Sequence, residues 1–459
     1  MFFGIRRIRL SLFAVIVTVS AVLGLCAGAD AAEEAAHFSF GELQSATVGA
    51  SGCGENAAGE PAIHVSRAND VFLGSELGVG SGSELWRGLG ALGGRGANGC
   101  GLEFRGQPNG VAGKGASGGD IDVAIANEPN AAGNYNLYVS SLNLASVNVA
   151  TSKDNATTFS QSPVQAGLPV DDREWIAAFG AKTSLLTFHQ IATNNIEVLR
   201  SDDEGQTYVK VATAIPLGDY KEQHNELGNI VIDHRNLPPG AGNFYAYQSF
   251  VAPSSASGEH NNEAFLAVSA DGGHTWSDQP IPCSVASAST DLDHNFPNVS
   301  VGPAGDVWYA WSDDHVIRTA VSTDHGQTWR CSRVISKGSA QAIFPWLAAT
   351  SAGVDLVYYG APTTTNQTFY VDFAQNPSGK PSGWGKPKQI VAVHKGEVCE
   401  GGIECTSGRQ LFDDFGVDTD SNGWAHIAYS HDSPTLGGEE TYTGYAVQTG
   451  GRALGEPNN

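Results

Sequence analysis

Ionisable side chains recur at one offset in a set of similar segments along this 459-residue chain. Glu60 stands in GEPAIHV, Asp120 and Asp122 in GDIDVAI, and Arg173 and Glu174 in DDREW. His224, Asn225 and Glu226 open HNELGNIVI, Asp293, His294 and Asn295 open DHNFPNVSV, and Asp413 and Asp414 lie in FDDFGVD with Arg409 just upstream. Carboxyl groups gathered in pairs can serve as acid and base on a glycosidic bond, because burial and mutual repulsion drive their proton affinities apart. Asp120, Asp122, Glu174, Asp413 and Asp414 are therefore the candidate catalytic groups. Arg173, Arg409, His224, His294 and Glu60 are candidate substrate contacts, Arg173 foremost, since a guanidinium fork suits a carboxylate. For each member alone the competing reading is structural: polar residues also satisfy strand ends and hydrate a pore. No close Cys-x-x-Cys or Cys/His cluster supports a zinc site, so no metal ligand and no cofactor is assigned, while the ring as a whole could bind sugar hydroxyls, a cation or a carboxylate.

These segments are copies of a longer repeat. A polar or Pro-containing entry leads into a short apolar strand, a Gly or Asn turn and an aromatic-rich strand, beginning near Gly59, Gly119, Arg173, Asn225, Asn295, Phe344 and Phe412. Each unit is too small to bury its own faces, so stacking around an axis is the natural closure. The fold class expected is all-β, a single β-propeller of seven blades, with six as the alternative if one copy is an insertion or two share a blade. In that architecture the first strand of each blade lines a central channel, and the residues entering it gather at one mouth. A content of 57 Gly and one Met agrees with many turns and little helix. The Gly- and Ser-rich stretch 78–118 reads as a long loop or a divergent first blade rather than an interdomain linker.

A second pattern sits between the repeats. Ser269–Trp276 and Ser322–Trp329 fit Ser-x-Asp-x-Gly-x-Thr-Trp in full, Ser201–Tyr208 changes the last aromatic, and Ser152–Phe159 puts Ala156 in place of Gly. The Asp can accept turn amides, Gly takes a positive φ, and the aromatic packs on the sheet, so Asp154, Asp203, Asp271 and Asp324 are expected to be structural. In this pattern the chain resembles the Asp-box (BNR-repeat) family, which includes the sialidases. The resemblance implies boxes at outer turns, away from the central site. Sialidases hold the sugar carboxylate with three arginines, attack with a Tyr activated by a Glu, and use an Asp as acid/base. Arg173 and Arg409 would supply two arginines; no Arg stands near Glu60, Pro61 and Ala62, and the third is unassigned. Tyr442 or Tyr445 would be the nucleophile, although a strand Tyr commonly serves packing. The function implied is an exported propeller that acts on or binds glycans, with exo-glycoside hydrolysis if catalytic; the alternative is a non-catalytic carbohydrate- or protein-binding propeller.

Bulk properties bound the partners. A formal charge of −23 disfavours nucleic acid and anionic membranes. Arg6, Arg7 and Arg9, the apolar run from Leu10 to Leu25 and the small residues Ala27, Ala29 and Ala31 read as a signal peptide over 1–31, with lipidation at Cys26 the rival. The propeller is then expected over 32–450, with a disordered tail over 451–459, in a secreted or periplasmic monomer that binds a glycan or glycoconjugate and has no membrane span. Six cysteines remain after processing, and sequence neighbourhood pairs Cys53 with Cys100, Cys283 with Cys331 and Cys399 with Cys405. The last pair would hold Glu400 and Glu404 near a channel mouth.

Overall fold

Strands rich in β-branched, aromatic and small apolar residues are buried on both faces here, as Val71–Glu76 and Ala246–Ala252 are along their whole length. A strand covered on both sides needs a packed sheet on each side. In the computed structural model that need is met by a ring of sheets. The structure describes Met1 and residues 35–45, 53–78, 81–90, 100–110, 119–143, 146–164, 171–190, 192–402, 405–432 and 436–458. The segment after Met1 that the sequence reads as a signal peptide, and Glu404, lie outside the described residues.

The described residues form seven four-stranded antiparallel sheets, so the fold is a seven-bladed propeller and the six-bladed alternative falls away. The innermost strands, blade by blade, are Gly59–Val65, Ile121–Pro129, Asp171–Phe179, Glu226–Ile232, Asn298–Val301, Gln341–Thr350 and Gly416–Thr419. In blades 1 to 6 the four strands run outward in chain order; in blade 7 the outermost place is taken by His37–Glu42, which pairs with Thr441–Gly450. The stretch 78–118 supplies Ser83–Gly88 and Glu103–Phe104, the two outer strands of blade 1. Apolar clusters fill the spaces between neighbouring blades, such as Tyr247, Leu266, Val299 and Tyr309 between blades 4 and 5.

Polar latches join inner strands across blade boundaries. Asp122 accepts the Ile176 amide, Asn229 the Val299 amide, Asn298 the Leu347 amide and Asp418 the Val65 amide, each at 2.8 Å. Inner strands of adjacent blades are too splayed to form a ladder, and a carboxylate or amide oxygen satisfies the orphan N–H instead. The three disulfides pair as expected: Cys53–Cys100, Cys283–Cys331 and Cys399–Cys405.

The four Ser-x-Asp turns share one geometry, each joining the third and fourth strands of blades 2 to 5. In each, Thr Oγ1 donates to the Asp at 2.6–2.7 Å, the Thr amide donates to the other Asp oxygen, and the Ser hydroxyl is bound by the amide of the Gly position. Ala156 keeps that position with φ +56° where Gly205, Gly273 and Gly326 have +74°, +93° and +84°. Because strands alternate in direction, a turn between strands three and four lies on the face opposite the entry to strand one.

Residues 451–458, read from sequence as a disordered tail, have specific partners. Leu454 is fully buried, its amide donating to Gly423 O and its carbonyl accepting from the Ala352 amide; Asn458 Nδ2 donates to Ile232 O at 3.2 Å. The segment crosses from blade 7 to blades 6 and 4.

Candidate functional site

The inner strands enter the ring through a distorted backbone. Positive φ values occur at Glu60 (+53°), Arg173 (+43°), Phe296 (+23°), Phe344 (+54°) and Phe412 (+56°), all at or just before the first residues of an inner strand. Register shifts accompany them between Gly59 and Ala62, Asp172 and Glu174, and Ile343 and Trp346. A bulge breaks the two-residue alternation and re-aims the side chain beside it. Here it turns Arg173 into the interior.

Arg173 is 2% exposed and lies at the centre of the acidic entries. Its Nη1 donates to Glu60 Oε1 and its Nη2 to Asp414 Oδ2, while Asp120 Oδ2 is 3.7 Å from Nη1. The guanidinium rests 4.1 Å above the Trp175 ring and 5.0 Å from that of Phe296. Trp175 packs in turn on Trp346 at 5.4 Å, and these rings floor the mouth. A cavity of about 130 Å³ is lined by residues along the inner strands, including His64, Asp122, Trp346 and Asp418, with Pro457 and Asn458 of the C-terminal segment in its wall.

Burial sets the protonation of this cluster. Glu60 is pushed well above the usual carboxylate range by burial, against the pull of Arg173 and with the push of Asp120 and Glu76. Glu76 and Glu174 are raised well above it too, burial leading and Asp120 adding. Asp414 rises to about 7 by burial in spite of Arg173. Asp172, on the exposed side, is raised to about 6 by partial burial and by the neighbouring charges of Asp120 and Asp413. Arg409 donates to Asp413 at 2.6 Å and is raised by Asp413, Glu60 and Glu76 after paying for its own burial.

The structure thus brings Glu60, Asp120, Arg173, Glu174, Arg409, Asp413 and Asp414 into one electrostatic group. Asp122 is set apart: both its oxygens accept backbone amides, from Val123 and Ile176, and it belongs to the blade latch. His224 is exposed in the loop before Glu226, and His294 lies in the short 3-10 turn Asp293–Asn295. Tyr445 is buried in blade 7 against His426 at 2.7 Å, and Tyr442 bonds Glu440; neither lies on an inner strand. Glu400, carried by the Cys399–Cys405 loop, receives Asn295 Nδ2 at 3.0 Å and Gln341 Nε2 at 2.7 Å, and burial with Asp314 nearby lifts it to about 9.

Two residues escaped the repeat reading. Glu76 ends the second strand of blade 1, which returns antiparallel to the entry side and pairs it with Gly59. Asp172 precedes Arg173, and the bulge at Arg173 leaves it facing out of the wall. The ends of second strands and the residues before each bulge were the signals available.

Fold and site together define a seven-bladed β-propeller with an acidic mouth above an aromatic floor. No family model matches the chain, and no curated protein sequence matches it. Among solved structures, a GH74 enzyme from Niastella koreensis is similar at 13% identity and a TM-score of 0.48, over 88% of this chain but 53% of that one. The chain thus spans about half of that enzyme's length. An ulvan lyase of polysaccharide lyase family PL25 is similar at 9% identity and 0.49, over 85% and 93%. The α-L-arabinofuranosidase Arb93A from Fusarium graminearum is similar at 14% and 0.42, over 71% and 92%. The blade count rests on this chain's own sheets.

Proposed function

We propose that the mouth binds a glycan and cleaves a glycosidic bond, with Asp172 as the proton donor and Asp413, held by Arg409, as the carboxylate partner. The observation that carries this reading is an exposed carboxyl, Asp172, lifted to about 6 by burial and by the charges of Asp120 and Asp413, the latter ion-paired with Arg409 at 2.6 Å. A carboxyl near that value holds its proton at mildly acid pH and can release it within one turnover. Asp120, part-exposed at the same mouth, accepts sugar hydroxyls, for which carboxylate oxygens are strong acceptors. Arg173 is committed to Glu60 and Asp414, so the preferred substrate is a neutral sugar rather than one bearing a carboxylate; this departs from the sialidase-type reading. The three disulfides support action in an oxidising, extracytoplasmic compartment.

The test is a screen of the protein lacking residues 1–31 against neutral fluorogenic glycosides and sialosides between pH 4 and 8. Asp172→Asn and Asp413→Asn should each reduce turnover by at least about a hundredfold without loss of fold. Binding of oligosaccharides with no turnover would leave a lectin-like propeller. Turnover of sialosides alone, untouched in both variants, would overturn the assignment.

A further inference from the structure

We propose that Glu60, Glu76 and Asp120 form a site for a hard divalent cation, Ca²⁺ by preference, at the inner edge of the mouth. One carboxylate oxygen from each lies within 4.8 Å of the others. Oxygens bound to Ca²⁺ sit about 2.3–2.6 Å from the ion, so two ligands across it stand roughly 5 Å apart, and the spacing here fits around one ion. Three carboxylates with no nitrogen or sulfur donor favour Ca²⁺ over Zn²⁺ or Cu²⁺, and Asp120, 18% exposed, leaves room for water to complete the shell.

Proximity of acids alone would not suffice. The independent observation is the set of polar atoms left over after every protein bond is made. Glu60 gives one oxygen to Arg173; its other oxygen is buried without a partner. Glu76, 3% exposed, likewise has a buried oxygen without a partner. Both oxygens of Glu174, fully buried and close enough to feel Asp120, are also unsatisfied. Buried polar atoms of this kind cost roughly 1–3 kcal/mol each unless something meets them. Charge balance points the same way: burial and mutual repulsion oppose ionisation of Glu60, Glu76 and Glu174, and a bound cation would relieve both by favouring their ionised forms. The local chain geometry explains how the oxygens meet. The bulge at Glu60 turns its side chain inward, the second strand of blade 1 returns Glu76 to the same level, and Asp120 enters from blade 2. A cation would therefore tie two blades together beside the ring's buried guanidinium.

Neither the proposed hydrolysis nor any glycan is needed to measure this. The protein lacking residues 1–31 is dialysed against EDTA, returned to chelator-free buffer at pH 7.5, and titrated with CaCl₂ by calorimetry and by thermal melting. One equivalent of Ca²⁺ should bind and raise Tm, with Mg²⁺ binding at least tenfold more weakly. Glu76→Gln should weaken Ca²⁺ binding by tenfold or more while keeping, in EDTA, a Tm no lower than the parent. If Glu76→Gln does not fold, the part-exposed Asp120→Asn should show the same loss. No heat and no shift of Tm up to 10-fold physiological millimolar Ca²⁺, or undiminished binding in the variants, would overturn the site.

Discussion

Replacing Arg173 by Met tests whether the centre of the mouth is braced from within. The side chain is 2% exposed, bonds two carboxyl groups at once and stacks on Trp175 at 4.1 Å. Removing one partner of a buried ion pair costs about 3–5 kcal/mol when the remaining charge cannot escape. Here it can escape in part, because Glu60 is already pushed well above the ordinary range and Asp414 to about 7, so each takes up a proton when Arg173 is lost. The expected loss is thus about 3 kcal/mol at pH 8 and roughly half that at pH 5, where the carboxyls are neutral and only the hydrogen bonds and ring stacking are missing. Arg173→Lys should fall between, since one ammonium cannot hold both partners in the geometry of the fork. Equilibrium urea unfolding followed by Trp fluorescence measures this, with Glu60→Gln and the double variant completing a cycle. A coupling of about 2 kcal/mol or more is expected at pH 8. A variant within 0.5 kcal/mol of the parent at both pH values, or strict additivity in the cycle, would refute the internal brace.

Asp271→Ala should cost about 1–3 kcal/mol through loss of the bonds from Ser269, His274 and Thr275, with any ligand affinity at the mouth unchanged; paired unfolding curves and binding isotherms check this. Stability in EDTA should fall from pH 5 to pH 8. Asp355 and Asp414 have folded values near 7, raised chiefly by burial above their unfolded ones, so the stability their protons confer is full at low pH and lost as pH passes 7; a Tm drop on the order of 5 °C by scanning fluorimetry is expected, and a rise would contradict the sign. Deleting residues 452–459 should cost about 2–4 kcal/mol, from burial of Leu454 and its backbone bonds, and should speed amide exchange at Ala352 and Ser351.

The architecture was legible because each repeat carries its own boundary signals. Each repeat start falls within an inner strand or up to four residues before one, and the strands EAFLAVS and IRTAVS end on the Ser of their turns. The turns were readable because their hydrogen bonds are local, each spanning four residues or fewer. The mouth was legible as a neighbourhood but not as a set of roles. Offset reading assumes an unbroken alternation of faces, and the bulge at Arg173 breaks it, burying the arginine and leaving Asp172 outside. Asp122 looked like its neighbours in sequence, yet its role is fixed by an amide 54 residues away. Glu76 belongs to no entry and reaches the mouth only through antiparallel pairing. The tail's composition is that of a solvated segment; its place depends on receiving carbonyls and amides from blades 4, 6 and 7, which no local pattern encodes.

The seventh blade has a kinetic consequence. Its outermost strand, His37–Glu42, is made early in synthesis, and its partner, Thr441–Gly450, is made late. Until the late strand arrives, the ring is an open arc with a waiting strand at one end and an unpaired blade face at the other. Two such arcs can exchange these ends as readily as one can join its own, the difference being set by concentration rather than by contact energy. The same hydrogen bonds that make a closed monomer would then link chains head to tail, so crowding during synthesis and refolding selects between a ring and an oligomer.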